Sequence, residues 1–217
     1  MEAISVTGRL AEIIANARGS QPLSERQREM LQAALGIVVK GGFEALSLRR
    51  VAEEVGVKLP SVQHHFGSKD GLVGALYDWA LEWYTGELLR LLNADHQDPE
   101  RAFRRIIDYL VNDLKQRTGI EPHLWARAMH SEEAEQYRSR YMFIYREFIY
   151  ELLTRIGTIK TKQTRWYRAA NITALIEGNY LLTSASVPDD LKRYQAELKN
   201  SIWMLAGLQQ AELEPSV

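Results

Sequence analysis

The sequence predicts an all-α protein, with three short helices grouped near the N-terminus and longer helices behind them. Apolar residues recur at steps of three and four along nearly the whole chain, the repeat of a helix with one buried side. No segment alternates apolar and polar residues as a half-buried strand would. Ser, Asp, Pro and Gly fall at the breaks between periodic runs, where helix ends need capping groups.

Residues 3–17 predict a short amphipathic helix with Leu10, Ile13 and Ile14 on one side, and Gly19 to Pro22 break the chain after it. Ser24 opens a firmer helix, because Ser24 and Gln27 have capping-box spacing. Met30, Leu31, Ala34, Ile37 and Val38 give it an apolar stripe, and Gly41-Gly42 end it by accepting a left-handed cap. Short helices follow at about 48–55 and 59–65. Ser68 caps the next helix, which runs to about Leu92 with Asp70 in its first turn. Pro99 suits the first turn of a helix reaching about Arg117, and Gly119 to Pro122 break the chain again. A short segment spans 122–129. Ser131, with Glu132 and Glu133, starts a helix to about residue 156, carrying Tyr137, Tyr141, Ile144, Phe148 and Leu152. Two more helices are expected at about 161–185 and 188–210, the second marked by Pro188, Asp189 and Asp190.

Composition narrows the function classes. Hydrophobic residues make up 46% and charged residues 25%, an ordinary balance for a globular protein with a sizeable core. The formal net charge of −1 rules out a generally basic coat for nucleic acid. Residues 21–70 hold seven Lys/Arg against six Asp/Glu, so any argument for DNA must rest on where the charges sit. The absence of cysteine excludes disulfides, thiolate metal sites and cysteine nucleophiles. No apolar run approaches the roughly 20 residues of a membrane span, and Glu2 and Arg9 interrupt any secretory pattern. The expectation is a cytoplasmic protein without a membrane partner.

The strongest signal lies at 47–72, SLRRVAEEVGVKLPSVQHHFGSKDGL. A helix-turn-helix needs particular residues at fixed offsets. Ala52 keeps the first helix thin where the second crosses it, and Gly56, four residues on, supplies a left-handed turn. Val62, six further on, plugs the second helix into the core, while Val51, Val55 and Val57 complete the seam. Ser47 stands as a cap, with Phe43 and Leu46 as core. The run Gly42-Phe43, Leu46-Ser47-Leu48-Arg49, Val51-Ala52, Gly56-Val57, His65-Phe66, Lys69 and Leu72 resembles the N-terminal domain of the TetR family of transcriptional regulators. The rest of the chain matches that family in length and helical layout only.

The resemblance implies an extension at 1–22, a helix-turn-helix DNA-binding domain at 23–70, and a domain for effector binding and dimerisation at 71–217. It implies a dimeric repressor that binds a palindromic operator and is released by a small-molecule effector. The helix at 59–65 would enter the major groove, with Ser61, Gln63 and His64 as base or phosphate contacts. Lys58 would sit at its entrance, Ser47 and Arg49 would hold the DNA backbone, and Lys69 would meet phosphate beside a positive helix end. Gln63 departs from the family's usual aromatic residue, and Pro60 is tolerable because it falls in a first helical turn.

For the effector pocket the candidates are Trp83, Trp125, Met129, Tyr141, Tyr145 and Asn179, aromatic walls plus an amide that needs a partner. Rings at helical spacing suit plain core packing as well. For the dimer interface they are the small-residue row Ala170, Ala174 and Gly178 with Leu181, and Leu198, Ile202 and Leu205 from the last helix. Adjacent His64 and His65 point to different faces, and His123 and His130 have no third ligand at sensible spacing, so neither metal nor other cofactor is expected. Nucleotide-loop, nucleophile-elbow and zincin motifs are missing, which argues against an enzyme. The rival reading is a similar DNA-binding protein whose C-terminal domain contacts a protein. A filled interior would favour that rival, and an open aromatic cavity the effector.

Overall fold

A computed structural model describes residues 23–95, 97–112, 119–185 and 189–209. The expected helix at 3–17 lies outside the described residues. Those residues form nine α-helices, one 3-10 turn and no strand. The helices are α1 (Glu25–Gly41), α2 (Leu48–Val55), α3 (Leu59–Phe66), α4 (Lys69–Ala94), α5 (Pro99–Asn112), α6 (Glu121–Ala128), α7 (Glu132–Ile156), α8 (Lys162–Ala185) and α9 (Leu191–Ala206), with the 3-10 turn at Phe43–Ala45. None of them is long and apolar enough to cross a membrane.

The helix ends follow from local chemistry. Ser24 accepts from the Gln27 backbone N–H at 3.2 Å, while the Gln27 side chain accepts the Ser24 N–H at 2.9 Å, closing the capping box. The α1 end departs from expectation: Gly42 has φ 69° with ψ 178°, an extended rather than left-handed helical ψ. Ser47 accepts from Arg50 N–H at 3.2 Å to start α2. Ser68 accepts from Gly71 N–H at 3.1 Å to start α4. Ser131 and Asp190 do the same for α7 and α9.

The chain packs as two compact units, each drawn from two stretches of sequence. Of the described residues, the first takes those at 23–86 and 119–141 and the second those at 87–112 and 142–209, so the division falls inside α4 and inside α7. One core serves the first unit. Met30, Leu31, Ala34 and Val38 of α1 meet Val51, Ala52 and Val62 of the motif, and Leu72, Val73, Leu76, Ile120 and Leu124 continue the same cluster. In the second unit Phe103 of α5 meets Trp203 of α9 edge-on at 5.7 Å, and Arg104 lies over the same indole at 4.9 Å. Lys199 pairs with Asp108 at 2.9 Å. Arg168 donates to the Leu205 carbonyl at 2.8 Å, fastening α8 to the end of α9.

Candidate nucleic-acid interface and aromatic cavity

The α2–turn–α3 segment has the geometry a helix-turn-helix requires. Gly56 takes φ 70°, ψ 38°, a left-handed conformation that L side chains adopt only at a cost. Its N–H turns back to the end of α2, and Val57 N–H reaches the Ala52 carbonyl at 2.9 Å. Val62 is fully buried and Ala52 nearly so. Burying one valine is worth about 1.5–3 kcal/mol, and this fixes which side of α3 faces inward. Because Val62 and Phe66 point in, Gln63 and His64 point out and are exposed.

Ser47, Arg49 and Lys58 are exposed, and Ser61 and Lys69 half-buried. Ser47 Oγ already serves its own helix as a cap, and Arg49 Nε lies 3.1 Å from Glu53 Oε1 on the surface. Among the described residues neither Lys58 nor Lys69 is held in an ion pair. Lys69 is the first residue of α4, where unpaired backbone N–H groups and the helix dipole favour an anion. Gly71 fixes the turn before it. A Cβ there would lie 2.1 Å from the Phe66 carbonyl oxygen. Only glycine lets α3 and α4 meet this closely.

A second site lies elsewhere in the same unit. A cavity of about 30 Å³ is lined by Tyr77, Ala80, Leu81 and Tyr84 of α4, by Glu121, Leu124 and Trp125 of α6 with Ile120 before it, and by Tyr137 and Tyr141 of α7. The rings of Tyr77 and Tyr137 meet at a tilt with centroids 4.6 Å apart, and those of Tyr84 and Tyr141 likewise at 5.6 Å. Tyr77 also meets Phe43, in the head's core, at 5.4 Å. Burial pushes the Tyr77 phenol above its ordinary value, with Arg127 opposing and Glu133 adding to the rise. Of the predicted pocket residues, Trp125 and Tyr141 come together here. Trp83, 41% exposed, and Met129, 79% exposed, do not line it. Tyr145 and Asn179 are buried in the second unit, and among the described residues neither side-chain amide atom of Asn179 has a hydrogen-bond partner. Glu121 was not among the sequence candidates. Beside Pro122 it reads as a helix start, and only its burial among rings distinguishes it.

On α8, Ala174 and Leu181 are exposed, and Ala170 and Gly178 half-buried. On α9, Leu198 and Ile202 face the interior of their own unit, Leu205 is half-buried, and Met204 is the exposed apolar residue. No group of three or more His, Asp or Glu among the described residues is arranged to hold a metal ion.

Comparison with known proteins places these features. Residues 30–76 match the family model for bacterial regulatory proteins, tetR family. The chain is 28% identical over 128 residues to the HTH-type transcriptional repressor KstR2 of Mycolicibacterium smegmatis, a match covering 59% of this chain and 51% of that protein. The chain spans between about half and three fifths of the length of the first curated relatives it matches. A transcriptional regulator from Rhodococcus sp. Rha1 is similar in structure, with a TM-score of 0.65 at 25% identity, covering 82% of this chain and 95% of that one. The multidrug binding protein EbrR, solved in complex with proflavin, has a TM-score of 0.51 at 25% identity, covering 81% of this chain and 98% of that one.

Proposed function

We propose, for a chain whose residues 30–76 match the family model of tetR-family bacterial regulatory proteins, that it is a transcriptional repressor which binds a palindromic operator as a homodimer and is released by a small-molecule effector. The observation that carries the DNA reading is the outward face of α3. Gln63 and His64 stand exposed there, opposite a side locked inward by Val62 and Phe66. Gln63 suits a two-point contact to adenine. Ser61 and His64 flank it, and Ser47, Arg49, Lys58 and Lys69 hold phosphates on either side.

The effector enters among the rings of α4, α6 and α7. α4 carries both Lys69 at its start and cavity residues Tyr77 and Tyr84 further along. Tyr77 touches Phe43 of the head and Tyr137 of the cavity wall. A ligand that parts these rings displaces Tyr77, and close-packed neighbours pass the shift to the head. The ligand lowers DNA affinity only by its preference for the displaced state. The proflavin complex of the similar EbrR supports a small-molecule reading.

The small size of the cavity favours one rival, a protein partner in place of the effector. About 30 Å³ is roughly one water's share of liquid volume, so a larger ligand must open the site. Screening small molecules for operator release separates the two: release by any of them supports the effector.

The first experiment is selection from a random DNA library, followed by binding of Lys69→Ala and Gln63→Ala. Lys69→Ala weakens binding to all sequences and lowers the salt slope by about one. Gln63→Ala relaxes preference at one position, at about 1–3 kcal/mol. A wild-type protein that enriches no sequence and binds no duplex sinks the proposal.

A further inference from the structure

The cavity holds a feature that ordinary core packing does not explain. Glu121 is 5% exposed, and among the described residues its Oε2 has no hydrogen-bond partner. An acidic side chain buried without a partner for one oxygen is costly and is normally paired, hydrogen-bonded or absent. Among the described residues no Lys, Arg or His lines the cavity. Of the arginines beside the cavity wall, Arg127 lies over Phe43 at 5.2 Å and 3.8 Å from Glu133, with its Nε unpartnered among the described residues, Arg138 is bound to Glu135 at 2.6 Å and lies over Trp125 at 5.3 Å, and Arg140 pairs with Asp78 at 3.2 Å.

We propose that this cavity is the site of an organic ammonium ion, with Glu121 as its counter-charge and the surrounding tyrosines and Trp125 as its walls. The assignment rests on the effector reading above and names the chemical class of that effector. Aromatic faces are negative and attract a cation, most strongly where water is excluded. Five rings line this cavity. Glu121 is also the first residue of α6, where the helix dipole favours a negative side chain. Ala80, Leu81, Ile120 and Leu124 give an apolar floor for a hydrocarbon tail.

Hydrogen bonding chooses among ammonium ions, because a quaternary ammonium has no N–H to give a carboxylate. A primary amine brings the N–H donor that Glu121 Oε2 lacks. The tail leaves past Trp125, Tyr137 or Tyr141, which are half-buried where Tyr77 and Tyr84 are buried.

The test is calorimetric titration of the full chain with n-hexylammonium, n-hexanol and hexanoate, repeated on Glu121→Gln. The wild type is expected to bind hexylammonium at least tenfold more tightly than hexanol and to reject hexanoate, and Glu121→Gln to level the first two. Without ligand, Glu121→Gln should melt at a higher temperature, because it removes a buried carboxylate with an unmatched oxygen. Equal binding of hexylammonium and hexanol by the wild type overturns the assignment, and that comparison needs no variant. So does an ammonium preference that survives Glu121→Gln, or a variant that melts lower without ligand. Operator binding is measured alongside. DNA binding without ammonium preference sinks this assignment and spares the regulator reading, whereas ammonium preference without binding to any DNA does the reverse.

Discussion

Two glycines of the head show how differently a residue's role can be written. Gly56 is legible in the sequence. A thin residue, a four-residue step and an aliphatic plug require a left-handed turn at that position, and the backbone adopts one. Gly71 is silent. It sits inside a helix, where glycine is ordinarily a weakness, and its reason is the Phe66 carbonyl 2.1 Å from where a Cβ would stand. That carbonyl is placed by the turn from α3 to α4, so no pattern of residue types near Gly71 announces it. Gly71→Ala should therefore destabilise the protein by about 1–3 kcal/mol, the cost of forcing atoms into a packed site, where a solvent-facing helical glycine would gain from the same change. The midpoint of urea unfolding checks the sign. Glu121 was missed for a related reason: a Glu-Pro pair signals a helix start, and its burial among tyrosines arises from helices distant in sequence.

At the scale of elements, the capping groups carried most of the information. Ser24, Ser47, Ser68 and Ser131 all cap the helices that the sequence places after them. Their hydroxyls satisfy backbone donors within three residues, and so short a loop leaves little for the tertiary structure to change. Ser47 has a second role under the regulator reading, which its cap makes separable. Ser47→Ala should cost about 1 kcal/mol of stability by loss of the Arg50 N–H bond. Ser47→Asp keeps a cap acceptor but sets a negative charge against phosphate. Thermal melts should rank Ser47→Asp above Ser47→Ala, with operator affinity ranking them in the opposite order. Equal ranking by both measurements would leave Ser47 a cap alone. The last helix was harder to read. Leu198, Ile202 and Leu205 form one apolar stripe in sequence, but Leu198 and Ile202 fill the interior of their own unit and Met204 stands outside. Periodicity identifies an apolar side and does not say whether the same chain or a second copy covers it.

For the whole molecule, the sequence suggests contiguous domains divided near residue 70, while packing draws each compact unit from two stretches. Residues 119–141 join the head because the Tyr137 ring meets Tyr77 and Arg140 pairs with Asp78 at 3.2 Å. Burial raises the Asp78 carboxyl above its ordinary range, and Arg140 partly offsets that. These partners lie about sixty residues apart in the chain, and local pattern carries no signal over that distance. Assembly is the prediction that belongs to this scale. Exposed Ala174 and Leu181 on α8, with Leu182 65% exposed beside them, form the surface proposed to meet a second copy. Ala174→Arg should convert the proposed dimer to monomer in sedimentation velocity and weaken operator binding by at least tenfold, with the monomer's helicity unchanged. A variant that stays dimeric moves the interface away from this face.

The sequence by itself determined the all-α class, the order of the described helices and most of their starts, and the two helices of the motif with their inward and outward sides. Each of these depends on residues within about one or two helical turns, where caps, glycine turns and a 3.6-residue repeat act directly. Only the tertiary structure decided which stretches share a core, which apolar stripes stay exposed, and that a buried carboxyl stands among five aromatic rings. Those outcomes depend on close packing between segments far apart in the chain, and the side chain that fills a given space is chosen by its neighbours in three dimensions.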